Sequence, residues 1–151
     1  MDAVDTRDEL KEAGYEKKIW IKIDIKNNQI TITDNGIGFN DQSFKSFLCP
    51  NVSFKQPNSN SRGKKGVGAT YLAYGFNYMC MATKSPGFLI NAEIKDGRKW
   101  VDDKDGVVGR PLLTEIGGNT GLEKIDRGSI FTLKFDTSTR PRDLSWSGAV
   151  N

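Results

Sequence analysis

Ile19, Ile21, Ile23 and Ile25 alternate with Trp20, Lys22, Asp24 and Lys26, and this period of two predicts a strand with one wet face. Asn27-Asn28 supplies a hairpin turn, and Gln29 to Thr33 returns with Ile30 and Ile32 between threonines. Residues 19–34 therefore read as an antiparallel hairpin that delivers Asp34 to the end of a sheet. Ahead of it, Met1 to about Glu16 reads as the end of a helix, rich in Asp, Glu, Lys and Ala, with Gly14 as its stop. It has too few apolar positions to stand alone, so it is expected to dock on the sheet.

Beyond the hairpin, Asp41 to Leu48 suits one short helix with Phe44, Phe47 and Leu48 on one side. Pro50 to Arg62 is rich in Asn, Ser and Lys and has no periodicity, the pattern of a lid or a disordered loop. Ala69, Leu72, Ala73 and Phe76 sit at helical spacing. Tyr78 to Thr83 and Gly87 to Ile94 read as strands, and Asp96-Gly97 as a two-residue turn into residues 98–101. Residues 102–127 are rich in glycine and charge and read as a loop or a strand-edge excursion. Ile130 to Phe135 is the last clear strand, and residues 137–151 look like a linker or C-terminal tail.

Composition narrows the classes. A chain of 151 residues is one domain's worth, and 27% charged with 36% hydrophobic residues suits a globular protein. A net charge of +3 permits a nucleic-acid partner without arguing for one. No apolar run approaches a membrane span, and two cysteines, Cys49 and Cys80, make neither a disulfide framework nor a zinc site. That usage fits a reducing, cytoplasmic setting. The absence of histidine removes it as base, metal ligand or phosphoacceptor within this chain.

The candidate chemistry lies in two glycine clusters. In Asp34-Asn35-Gly36-Ile37-Gly38 a strand-end carboxylate stands beside glycines that let a ligand approach the backbone, although D-N-G is also an ordinary turn sequence. A carboxylate there can accept a hydrogen bond from an exocyclic amine. In Arg62-Gly63-Lys64-Lys65-Gly66-Val67-Gly68 the last glycines open a helix, whose unpaired N–H groups and dipole suit an anion. Lys64 and Lys65 are placed to follow phosphates, or simply to be solvated. Other phosphate motifs fail: Ala69-Thr70 replaces the Lys-Ser/Thr of a Walker loop, and Tyr71 replaces the third glycine of a dinucleotide fingerprint.

D-x-G-x-G at Asp34 to Gly38, followed by G-x-x-G-x-G/A from Gly63, resembles the GHKL ATPase superfamily of gyrase B, heat-shock chaperones, histidine kinases and MutL, over about residues 2–135. The resemblance implies a Bergerat-type α/β (α+β) two-layer sandwich: a mixed, mostly antiparallel sheet with helices on one face, in an ATP-binding domain of residues 1–136. It implies that Asp34 accepts the adenine amino hydrogen, that Gly36 and Gly38 leave room for the ring, and that Ser129 reaches the same aspartate and base. It places Lys64, Lys65, Gly66, Val67 and Gly68 at the phosphates, beneath a lid of residues 41–65.

ATP binding and slow hydrolysis with Mg2+ would then drive a lid or dimerisation switch in the complete protein. Of the family's first motif only Asp2 and Ala3 match. The glutamate that activates water and the asparagine that ligates magnesium have no counterpart here, so an N-terminally truncated fragment is expected. A histidine-kinase-type catalytic domain and a module that holds nucleotide without hydrolysis remain the alternatives.

Overall fold

The computed structural model describes residues 2–47, 67–118 and 121–148, with backbone alone over 67–70. Helix α1 (Asp2–Glu9) leads to strands β1 (Ile19–Asp24) and β2 (Gln29–Asp34), then α2 (Asp41–Phe47) and α3 (Val67–Tyr74). Strands β3 (Tyr78–Ser85) and β4 (Phe88–Lys95), α4 (Gly97–Asp102), β5 (Leu113–Glu115) and β6 (Gly128–Lys134) follow. The sheet order is β1-β2-β6-β3-β4-β5, and all five pairings are antiparallel. The two-layer α+β architecture expected from the sequence is the one observed.

The register explains the layers. Ile32 pairs with Phe131, Phe131 with Met81 and Met81 with Ala92, while Ile30, Leu133, Met79 and Ile94 form the next row. Paired residues share a face, so these two rows make one apolar surface. Ala73 and Phe76, on and just after α3, cover the Met79–Leu133–Ile94 row, and Phe44 of α2 covers Met81 and Ala92. Partly buried Phe131 and Leu113 touch both clusters and join them into one core. The intervening row on the opposite face is polar: Thr31 and Thr132 pair through their hydroxyls at 3.1 Å, beside Cys80 and Glu93.

Three local readings are corrected. Helix α1 ends at Glu9 rather than near Gly14: the N–H groups of Leu10 and Lys11 bond carbonyls only three residues back, at Arg7 and Asp8, which tightens and closes the last turn. Asp96-Gly97, read as a two-residue turn, is instead the start of a helix. Asp96 takes a left-handed conformation, Gly97 begins α4, and the Trp100 ring packs on Tyr74 at 5.6 Å. A Cβ at position 97 would fall on the Ala73 carbonyl, so glycine is what lets α4 lie against α3. Finally, the isoleucine face of β1 is not buried. No β1 residue joins either apolar cluster, and Ile19, Ile21 and Ile23 stand in solvent.

Residues 137–148, expected as a linker or tail, pack on the β1–β2 turn. Thr139 and Leu144 are each 2% exposed. Asn28, left-handed at φ 54°, donates to the carbonyls of Phe135 and Arg142 and accepts from the Leu144 N–H at 2.9 Å. Leu144→Ala should therefore lower unfolding stability by about 2–4 kcal/mol, the cost of emptying a buried leucine site. Urea denaturation checks this; a change below about 0.5 kcal/mol, ordinary for a surface position, would mean that the segment contributes nothing to the fold.

Candidate functional site

Asp34 closes β2 in register with Ser129 at the start of β6, and Ser129 is in register with Thr83 of β3. The row continues the face that carries Ile32, Phe131 and Met81, so the polar groups sit where the apolar core reaches the end of the sheet. Ser129 and Thr83 are 1% and 0% exposed, which obliges their hydroxyls to find partners inside the protein. Their oxygens lie 3.1 Å apart, and the Thr83 hydroxyl lies 3.1 Å from the Gly128 carbonyl. Thr83 also accepts the N–H of Phe39 at 2.9 Å, tying the glycine turn after β2 to β3.

Asp34 is only partly buried. Its Oδ1 accepts the Gly36 N–H at 2.8 Å, closing a tight turn behind the strand. Burial pushes its carboxyl above the usual carboxylate range, opposed in part by the backbone N–H groups of Gly36 and Ser129. The site is thus a sheltered carboxylate supported by amides, next to hydroxyls already fixed in place. It is suited to a neutral hydrogen-bond donor such as an exocyclic amine.

The glycines make room chiefly for this chain's own backbone. A Cβ at Gly36 would come within 2.6 Å of the Ala3 carbonyl carbon, where the Ile37 N–H donates to the Ala3 oxygen at 3.0 Å. Gly38, at φ 70°, passes against the Lys84 carbonyl. Gly128, at φ 146°, lets β6 start against the Asp34 carbonyl. Val67 and Gly68 are the first two residues of α3. Lys64, Lys65 and Gly66 lie outside the described residues, as does most of the expected lid. Its first part, α2, is anchored by Phe44, 5% exposed and 5.8 Å from the Phe88 ring.

Two groups escaped the sequence reading. Thr83 had a signal: it is the polar residue that ends the Met79, Met81, Thr83 alternation on the core face. Arg7 had none, since in an acidic helix it resembles a solvated charge. It is nevertheless 4% exposed. It donates to Glu12 at 2.7 and 2.9 Å, to the Asn35 carbonyl at 2.9 Å and to both Asp126 oxygens at 2.7 and 3.1 Å. Its guanidinium lies 4.5 Å from the centre of the Tyr15 ring and holds the Asp126 carboxyl below its ordinary pKa. Arg7 thereby fastens α1 to the residue after Asp34 and to the approach to β6. Among the described residues, no group of three or more Cys, Asp or Glu side chains is arranged to hold a metal ion, and no helix is long and apolar enough to cross a membrane.

No family model matches this sequence, and no curated protein matches it. Among solved structures, the ATPase region of Saccharomyces cerevisiae topoisomerase II is similar, with a TM-score of 0.56 at 15% identity. The match covers 88% of this chain and 35% of that one, so this chain spans about a third of its length. The likeness shows the fold that this chain shares with part of that region.

Two variants test the geometry. Gly128→Ala places a Cβ on the Asp34 carbonyl in a strained backbone conformation, and should cost about 2–5 kcal/mol of stability, read by urea denaturation. Asp34→Asn removes a charge that the fold disfavours. With a folded pKa above the unfolded one, wild-type Asp34 is best tolerated below the unfolded value, and that advantage is lost as pH rises through the folded value. The melting temperature of Asp34→Asn relative to wild type should therefore climb between about pH 4 and pH 7. A difference that is flat with pH would mean the carboxylate is not sheltered.

Proposed function

We propose that this chain is the ATP-binding domain of a GHKL-type ATPase and that Asp34 recognises the adenine ring. The observation that carries the reading is the Asp34 carboxylate itself: sheltered, raised in pKa, supplied with backbone donors on the protein side and aligned with Ser129 and Thr83. A fully solvated turn aspartate would have no reason to sit in such a row. The adenine amino group donates to a carboxylate, whereas guanine carries an acceptor at the same ring position, so such a contact would favour adenine over guanine. The shared fold supports the same reading, since it forms part of the ATPase region of the yeast topoisomerase.

Each remaining residue has a role in this proposal. Ser129, locked by Thr83, holds the second hydroxyl at the base. Gly36 and Gly38 shape the turn so that the chain passes α1 and β3 closely, which keeps side chains away from Asp34. Val67 and Gly68 open α3, whose first-turn N–H groups have no partner within the helix and would suit an incoming phosphate, with Gly66, Lys64 and Lys65 immediately upstream in the sequence. ATP with Mg2+ is the proposed ligand of the complete protein, in which binding and slow hydrolysis drive a lid or dimerisation switch in a cytoplasmic setting. No hydrolytic step is assigned to the described residues.

Calorimetric titration with ATP and GTP tests the base recognition. Wild type should prefer ATP. Asp34→Asn should weaken ATP binding by about 1–3 kcal/mol, because a charged acceptor is replaced by an amide that presents its own donors. Unchanged ATP affinity with unchanged base preference would remove adenine recognition from Asp34.

A further inference from the structure

The peptide between Asn35 and Gly36 is bonded at both ends. Its N–H donates to Oδ1 of Asp34 at 2.8 Å, and its carbonyl accepts from Nη1 of Arg7 at 2.9 Å. A peptide is planar, with C=O and N–H pointing in opposite directions, so fixing one end aims the other. Arg7 and the Asp34 carboxylate therefore face each other across a single peptide plane. The remaining four of the five guanidinium donors go to Glu12 and Asp126, which leaves none for a direct bond to Asp34.

The rest of the turn is held from the same side. The Asn35 N–H donates to the Lys18 carbonyl at 3.2 Å, and the Ile37 N–H to the Ala3 carbonyl at 3.0 Å. The Asn35 side chain accepts the Lys18 N–H and donates to the Glu16 carbonyl, both at 2.8 Å. The peptide is thus unable to turn away from either partner. Arg7 is 4% exposed, so little water competes for the Asn35 carbonyl. A buried cation on a carbonyl polarises the amide and makes its N–H a stronger donor, because hydrogen bonds in series reinforce one another.

We propose that Arg7 is a positioning residue for Asp34, acting through the Asn35–Gly36 peptide to aim the carboxylate and to keep it a charged acceptor. Glu12 and Asp126 aim Arg7 in turn, and Glu12 also takes Arg127, 3.1 Å away and just ahead of β6. Tyr15 faces the same groups: its ring lies against the guanidinium, and its hydroxyl donates to the Val4 carbonyl at 3.2 Å and so leaves the carboxylates alone. A clamp that only held α1 would leave the titration of Asp34 where it is. A link through the peptide moves it. Burial raises the Asp34 pKa and the Gly36 N–H opposes that rise, so weakening the Gly36 bond lets the pKa climb further.

Nuclear magnetic resonance of the nucleotide-free chain reads the link, through the Cγ of Asp34 and the amide proton of Gly36 followed from about pH 3 to pH 8. Arg7→Met keeps the aliphatic bulk and removes the guanidinium. The Asp34 midpoint should rise and the Gly36 amide proton should move upfield, while the amides of β3 and β4 hold their shifts. Arg7→Lys keeps the charge without the five-donor fork, so it should move both signals the same way by less; it carries the test if Arg7→Met does not fold. Losing a nearby positive charge would also raise the midpoint, but it would leave the Gly36 amide bonded and its proton in place. An unmoved Gly36 amide or an unmoved Asp34 midpoint in a folded Arg7 variant would overturn the proposal. A second measurement rests on the reading of Asp34 as the acceptor for adenine: Arg7→Lys should weaken ATP binding about tenfold by calorimetry. A resonance response without that loss would uphold the link and count against adenine recognition by Asp34.

Discussion

The constraint on which the site depends is the closeness of three backbone segments around Asp34. The end of β2, the start of β6 and the first turn of α1 converge until no Cβ fits at Gly36 or Gly128, and Gly38 passes equally close to β3. Close packing of backbone against backbone fixes positions more tightly than side-chain contacts do, because peptide groups have no rotamers to absorb an error. Once Gly128 lies on the Asp34 carbonyl, Ser129 must fall opposite Asp34, and Thr83 opposite Ser129, by strand register alone. The order of the polar row is a consequence of that contact.

Arg7 extends the same constraint to α1. A helix with a single buried aliphatic residue, Val4, has little apolar surface to hold it in place. A buried guanidinium that bonds Glu12, Asn35 and Asp126 supplies what apolar burial does not, and Asp126 pays back part of its desolvation cost through both oxygens. The turn after Asp34 is therefore fastened by an ion-pair cluster that reaches Asn35 and by the threonine–serine pair that takes the Phe39 N–H. The two differ in character: the first is charged and rimmed by solvent-exposed Asp126, the second neutral and fully enclosed.

Much of this was legible in the sequence because its signals were local. Alternation placed β1, β2, β3, β4 and β6, and Asp34 fell at a strand end as expected. The signals failed where the deciding partner lay far along the chain. Asp-Gly at 96–97 favours a turn in isolation, but α3, more than twenty residues earlier, decides that a helix follows. Arg7 meets Asp126 across 119 positions, and no local pattern announces that pairing. Residues 137–148 carry the Ser, Thr, Arg and Pro content of a tail, yet Asn28, over a hundred positions away, organises them through two hydrogen bonds, to Arg142 and Leu144.

The isoleucines of β1 mark the limit of periodicity as evidence. Alternation states that a strand has an apolar face; it does not state what covers that face. In β2 and β6 the same pattern is satisfied by α2, α3 and the aromatic residues between them, whereas in β1 it faces water. The difference lies in sheet order: β1 is the outermost strand, beyond the reach of the helical layer. An apolar row on an edge strand exposes hydrophobic surface and unpaired peptide groups together, and the two need different partners: a layer across the face for the side chains, a strand in the plane of the sheet for the peptides.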